Sequence, residues 1–163
     1  MGVISFRYNL PLEQSMAFEA VYQESERLDL SEKRKMWDTP GSIFVWMFVD
    51  GELAGESYGI PLSTSICGLT DLTDNERKAA IHCYSNTVLP SFQKQGLGTI
   101  LKAHWLGVVA GKGFGIVYGY ARPGKSQALN AKFGAVFLDS FPDWCGTGEE
   151  YKLYRLVLKE KSS

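Results

Sequence analysis

The chain has 163 residues, 45% hydrophobic and 13% aromatic, enough to fill the core of a single domain spanning 1–163. A formal charge of -1 excludes a nucleic-acid-binding surface over the whole protein, and no apolar run reaches the roughly 18 residues of a membrane span. Cys67, Cys83 and Cys145 form no C-x-x-C pair, and only His82 and His104 could join them, so free thiols in a reducing cytoplasm and no metal site are expected.

At the N-terminus, Arg7, Asn9, Pro11 and Glu13 interrupt any apolar region, which argues against a secretory signal. Phe6 stands where a myristoylation motif requires Ser or Thr. Val3 to Tyr8 alternates as a first strand. Leu12 to Leu28 reads as an amphipathic helix, with Met16, Ala17, Ala20, Val21 and Leu28 inward and Glu13, Glu19, Glu24 and Arg27 outward. Ser31 is placed to cap a short helix through Met36 and Trp37, which Pro40-Gly41 ends. Asp50-Gly51 between the apolar runs Ile43–Val49 and Leu53–Ile60 is a hairpin signal.

The segment from Pro61 to about Lys78 is polar and longer than an ordinary connection. A fourth strand follows over Ala80–Leu89. Helices are expected over Leu97–Ala110, closed by Gly111 and Gly113, and over Ser126–Phe133, closed by Gly134. Strands cover Gly115–Ala121, Val136–Phe141 and Tyr151–Leu158. The tail from Lys159 is expected to fray.

The most informative stretch is Gln93-Lys94-Gln95-Gly96-Leu97-Gly98, set between a strand and a helix. Two positions without Cβ let backbone N–H groups approach a ligand, and the helix directs its positive end at the same spot. Such a loop suits phosphate or pyrophosphate. The segment resembles the pyrophosphate loop, Q/R-x-x-G-x-G/A, of the GCN5-related N-acetyltransferase (GNAT) superfamily. Val88, Pro90 and Phe92 match the lead-in, Ile100 and Leu101 the helix that follows, and the likeness covers residues 80–138, about a third of the chain.

That resemblance implies an α/β GNAT fold: a mixed, mostly antiparallel seven-stranded sheet splayed between strands 4 and 5 and flanked by about four helices. It also implies acetyl transfer from acetyl-CoA to a primary amine of a small molecule or protein, by direct attack on the thioester. Its cofactor contacts fall on Asn86, Thr87 and Val88, on Gln93 to Thr99 (Gln93, Lys94, Gln95, Gly96, Leu97, Gly98 and Thr99), and on Ser126 and Asn130. The acceptor would lie against Tyr22, Trp37, Phe141 and Trp144, with Glu149-Glu150 suited to a cationic amine. The resemblance leaves room for a homodimer, a frequent arrangement in the family, and calls for neither nucleic acid nor membrane.

Two proton carriers remain to be found. Members that acetylate protein N-termini carry a Tyr acid four residues before the glycine ending the helix, where this chain has Asn130. Their Glu base falls near Tyr118, and the nearest position to the Glu of histone-type members is His82. His82 has a suitable intrinsic pKa, and Tyr118 and Tyr120 could protonate the leaving thiolate. The competing reading is ordinary sheet packing for all three, with Tyr84 a weaker spare. His104 lies in the apolar stripe of its helix and reads as packing. The missing Tyr and Glu keep a second reading open, a silent GNAT-fold module that binds CoA or a protein. A third is a nucleotide binder, because Gly119–Ser126 satisfies G-x-x-x-x-G-K-[ST]. Only 37 residues follow Ser126, too few for the further βα units of such a sheet.

Overall fold

In the computed structural model, which describes residues 2–22, 30–62, 72–143, 146 and 148–158, Asp50 and Gly51 both adopt positive φ, 50° and 82°. That is the backbone a two-residue hairpin demands, and it joins β2 (Ile43–Val49) to β3 (Glu52–Pro61). The remaining strands are β1 (Ile4–Arg7), β4 (Ala80–Val88), β5 (Ile116–Ala121), β6 (Val136–Phe141) and β7 (Tyr151–Val157). Helices are α1 (Leu12–Tyr22), α2 (Leu30–Trp37), α3 (Asp74–Lys78), α4 (Leu97–Gly111) and α5 (Lys125–Lys132). The seven strands run in the order β1-β2-β3-β4-β5-β7-β6. All pairings with a stated register are antiparallel except β4 with β5, which is parallel. The expected sheet is therefore present.

The chain divides into two compact units, Met1–Ile60 with Ser85–Trp105, and Pro61–Tyr84 with Leu106–Ser163. In the first, the even-numbered residues of β2 (Phe44, Trp46, Phe48) pack with Leu10, Met36 and Tyr58. From α4, Leu97, Leu101 and Trp105 are buried, and the Trp105 indole N–H bonds the Ile43 carbonyl at 3.2 Å.

Helix α1 corrects the expected facing. Ser15, Phe18 and Glu19 are buried, whereas Ala17 and Ala20 are exposed and Val21 is 66% exposed. The cause is a buried polar cluster. Lys33 on α2, 0% exposed, places its Nζ 2.6 Å from Glu56 Oε1, 2.9 Å from the Ser15 carbonyl and 3.9 Å from Glu19 Oε1. Glu56 also accepts from Ser15 Oγ and, at 2.6 Å, from the Trp46 indole; Tyr58 Oη donates to Glu19 at 3.1 Å. Two carboxylates thus share one ammonium. Burial raises the Glu19 pKa most, with Lys33 opposing and Glu56 adding to the rise. The turn of pattern comes from partners distant in sequence, since an acidic residue is buried when a cation waits for it.

The second unit is built on β5 and β7, with Leu62, Ala80, Tyr118 and Leu153 as its core cluster. The segment 61–78, read only as a polar loop, contains α3. Thr73 and Glu76 form a reciprocal capping box at its start, a Thr-x-x-Glu signal that the sequence carried openly. Residues 23–28 of the expected first helix, Trp144, Cys67, Cys145 and the tail lie outside the described residues.

Candidate functional site

The loop after β4 is held open by backbone geometry. Residues Pro90–Phe92 make a 3₁₀ turn, and the Gln93 side-chain amide donates to the Val88 carbonyl at 2.9 Å, fastening the loop to the strand end. Lys94 (φ 66°) and Gly96 (φ 74°) then take left-handed backbone. The Gly96 carbonyl accepts from Ile100 N at 3.3 Å, as an N-cap carbonyl does. Glycine has no side chain with which to cap, so the amides of Leu97, Gly98 and Thr99 get none from that position. A Cβ at Gly96 or Gly98 would meet nothing within 4 Å.

Among the cofactor candidates of the first unit, Leu97 is 1% exposed, so its side chain anchors α4 and only its backbone is available to a ligand. Thr87 and Val88 are buried, Thr99 is half-buried, and Lys94, Gln95 and Gly96 are exposed. Asn86 ties the strand to the helix, its Nδ2 donating to the Gly98 carbonyl at 3.2 Å. Its Oδ1 is buried with no hydrogen-bond partner. In the second unit, Asn130 Nδ2 donates to the Ser126 carbonyl at 2.9 Å, and Asn130 Oδ1 is likewise buried without a partner. Each unit thus holds one buried side-chain acceptor without a partner, a polar group that folded proteins ordinarily satisfy.

The catalytic candidates meet on one face of the second unit. The β4–β5 ladder pairs Ala80↔Ile116 through Cys83↔Gly119 and ends there, although β4 runs on to Val88 and β5 to Ala121. His82 lies opposite Tyr118 in that ladder. The His82 ring is 4.0 Å from that of Tyr84 and 5.7 Å, edge-on, from that of Tyr120, which in turn meets Phe141 at 5.7 Å. Tyr118 is 1% exposed, Tyr120 half-buried and Tyr84 41% exposed. Burial lowers the His82 pKa from 6.5 to about 4. The intrinsic value expected of a base near neutrality is therefore not the one the fold delivers, because the buried imidazole is penalised for taking a charge.

Other candidates have structural partners. Arg122 meets Glu149 (Nε to Oε2, 3.0 Å), so the acidic pair is partly neutralised. Gly119, the first glycine of the nucleotide-binding pattern, lies inside β5, and a Cβ there would come within 2.6 Å of Tyr154 Oη. That segment ends β5 at Ala121, turns, and enters α5 at Lys125. His104 is half-buried; it stacks on Phe6 at 3.7 Å and shares a 2.6 Å hydrogen bond with Tyr8 Oη, since a ring on the helix flank meets β1 before it meets the core. Trp37 packs against Phe44 and Trp46. The contact between Tyr154 and Cys83, which raises the already buried tyrosine's pKa further, went unread because it joins residues 71 positions apart by way of Gly119. Among the described residues no group of His, Cys, Asp or Glu could hold a metal, and no helix is long and apolar enough to cross a membrane.

Neither a protein-family model nor a curated protein matches the sequence. Solved structures do match. One is a putative acetyltransferase of the GNAT family from Desulfovibrio desulfuricans, with a TM-score of 0.70 and 18% identity, covering 96% of this chain and 100% of that one. The chain has the GNAT fold. The ribosomal-protein-S18-alanine N-acetyltransferase from Escherichia coli gives a TM-score of 0.73 at 12% identity, covering 99% of this chain and 97% of the other. An aminoglycoside 6'-N-acetyltransferase complexed with coenzyme A gives 0.70 at 17%, covering 99% of both. Within the GNAT fold, the Gln93–Gly98 loop stands between β4 and the helix that follows it, where the sequence placed it.

Proposed function

We propose that this chain is an acyltransferase that carries an acetyl group from acetyl-CoA to a primary amine, working in the cytoplasm. The observation that carries the reading is the loop between Val88 and Leu97: left-handed backbone at Lys94 and Gly96, a glycine without a capping side chain at the helix start, and the buried, unpartnered Asn86 Oδ1 beside it. Similarity to structures whose names state acetyl transfer, one of them holding coenzyme A, supports it.

In this reading the amides from Lys94 to Thr99 hold the pyrophosphate, and the backbone of Asn86 to Val88 pairs with the pantetheine arm. Asn86 Oδ1, in the same unit as the loop, supplies an acceptor for an amide N–H of that arm. Bound acetyl-CoA supplies an activated acyl group. A backbone N–H near the end of the β4–β5 ladder would stabilise the oxyanion formed when the amine attacks, worth roughly 3–4 kcal/mol. His82 stays neutral above its pKa of about 4 and serves as a hydrogen-bond acceptor for the attacking N–H more than as a stoichiometric base. Tyr118 and Tyr120 are the candidate donors to the departing thiolate.

Thermal denaturation with acetyl-CoA against ATP–Mg²⁺ tests the binding half. A ligand at 100 times its Kd adds about 2.7 kcal/mol of stability. Stabilisation by ATP alone refutes the proposal. Release of free CoA thiol over a panel of amines tests the chemistry. Tight CoA binding with no release across the panel would favour the silent module, the reading that Asn130 in place of a tyrosine also favours.

A further inference from the structure

The aromatic rings of the second unit name an acceptor class. Tyr84, His82, Tyr120 and Phe141 form a continuous row, with centroid separations of 4.0, 5.7 and 5.7 Å, the last two edge-to-face at 70° and 75°. Edge-to-face rows of this kind accept another ring at a favourable angle, each ring pair adding about 0.5–1.5 kcal/mol beyond area burial, or roughly 2- to 10-fold in binding. The row is open to solvent at Tyr84, which is 41% exposed.

Its charge is as telling as its shape. Strands β4 and β5 carry no Asp, Glu, Lys or Arg at all. From β7 the charged group on this face is Arg155, opposite Tyr118, which attracts the Glu76 carboxylate of α3. From β6 it is Asp139, opposite Leu153, whose Oδ1 already accepts from Ser140 N. In the connection between β6 and β7, Asp143 accepts from Gly148 N, Glu149 pairs with Arg122, and Glu150 is exposed. Among the described residues, no carboxylate stands on the two strands that carry Tyr84, His82 and Tyr120.

Resting on the acetyl-transfer reading, we propose that the acceptor is a weakly basic primary arylamine, whose ring stacks against Tyr84, His82 and Tyr120 at this row. The amine nitrogen attacks the thioester carbon, the C–S bond breaks, and the proton lost by nitrogen ends on the CoA sulfur. An alkylamine as basic as lysine is neutral in only about one molecule in 10³ at pH 7. With His82 near 4, the row offers no base to correct that. An arylamine arrives neutral, so it needs no base before it attacks, and its nitrogen sheds its proton only as the C–S bond breaks.

The test compares p-toluidine with n-hexylamine, following CoA thiol release at saturating acetyl-CoA. At pH 7, kcat/KM for p-toluidine should exceed that for n-hexylamine by at least about tenfold. The p-toluidine rate should be flat from pH 6 to 8, while the n-hexylamine rate climbs about tenfold per pH unit. Phe141→Leu, which removes a ring from the row without touching a proton carrier, should lower the ratio of kcat/KM for p-toluidine to that for n-hexylamine about 2- to 10-fold, leaving the Kd for CoA unchanged. A preference for n-hexylamine at pH 7, or a ratio indifferent to Phe141→Leu, overturns the assignment. If neither amine is acetylated although CoA binds, the transfer reading fails instead. Calorimetric binding of p-toluidine to the CoA-loaded protein then decides the row by itself: binding lost in Tyr120→Leu upholds it, and no binding rejects it.

Discussion

Replacing Lys33 with Met removes the one cation from the cluster of Glu19, Glu56, Ser15, Trp46 and Tyr58, and its cost can be worked from the geometry. At the 2.6 Å separation of Lys33 Nζ from Glu56 Oε1, and an effective dielectric of about 20, the attraction is about 6 kcal/mol. Against it stands the desolvation of Lys33, several kcal/mol for a side chain 0% exposed. The net loss should be about 3–5 kcal/mol, the usual consequence of stranding a buried charge. Urea unfolding followed by tryptophan fluorescence reads it directly, because the Trp46 indole donates to Glu56. The midpoint should fall with the m-value unchanged. Lys33→Met/Glu56→Gln should recover much of the loss, since a neutral amide keeps partners for Ser15 and Trp46 without a stranded charge. The single variant should also regain stability as the pH is lowered from 7 towards 5, because Glu19, already raised by burial, loses the Lys33 charge that opposed the rise and protonates more readily. A loss below about 1 kcal/mol, or no rescue by the second substitution, would refute the reasoning.

Three further outcomes follow from other parts of the molecule. The folded state keeps His82 neutral down to about pH 4 while the unfolded chain takes up a proton at 6.5, so stability present above 6.5 is lost as the pH falls towards 4. His82→Gln should flatten that limb by about 3 kcal/mol in urea midpoints measured from pH 7 to 4, and parallel curves for the two proteins would remove the imidazole from the account. Gly119→Ala drives a Cβ to 2.6 Å from Tyr154 Oη and 2.7 Å from its Cζ, so a cost of about 1–3 kcal/mol is expected in thermal melts. Tyr154→Phe should not relieve it, because the ring itself clashes, whereas Tyr154→Leu should narrow the gap. Thr73→Ala should cost about 1 kcal/mol and speed amide exchange in α3, whose capping box it breaks.

What the sequence disclosed and what it hid differ by range. The place of the loop was readable because its signal lies in consecutive residues: glycines at 96 and 98 and an apolar helix directly after. The Asp50-Gly51 hairpin and all seven strands were readable for the same reason. The α1 facing was not, since Ser15 and Glu19 are buried by Lys33, Tyr58 and Glu56, none of them within ten residues. Likewise the pKa of His82 depends on the rings and strands around it and not on its neighbours in the chain. Helix α3 is different. Its Thr-x-x-Glu start stood in plain view within a stretch too polar to suggest a helix.

Strand β4 has a consequence for how this molecule could change. Its first four residues keep step with β5, and beyond its other end Leu89 N bonds the Ala54 carbonyl. Successive side chains of a strand alternate between faces. Deleting a single residue between Cys83 and Asn86 would therefore leave one end in step and invert the other: either the imidazole at 82 or the carboxamide at 86 would turn to the wrong side. Replacement of individual side chains is tolerable along this stretch, but a change of length is not. Deletion scanning should find no single-residue gap there that preserves both ends.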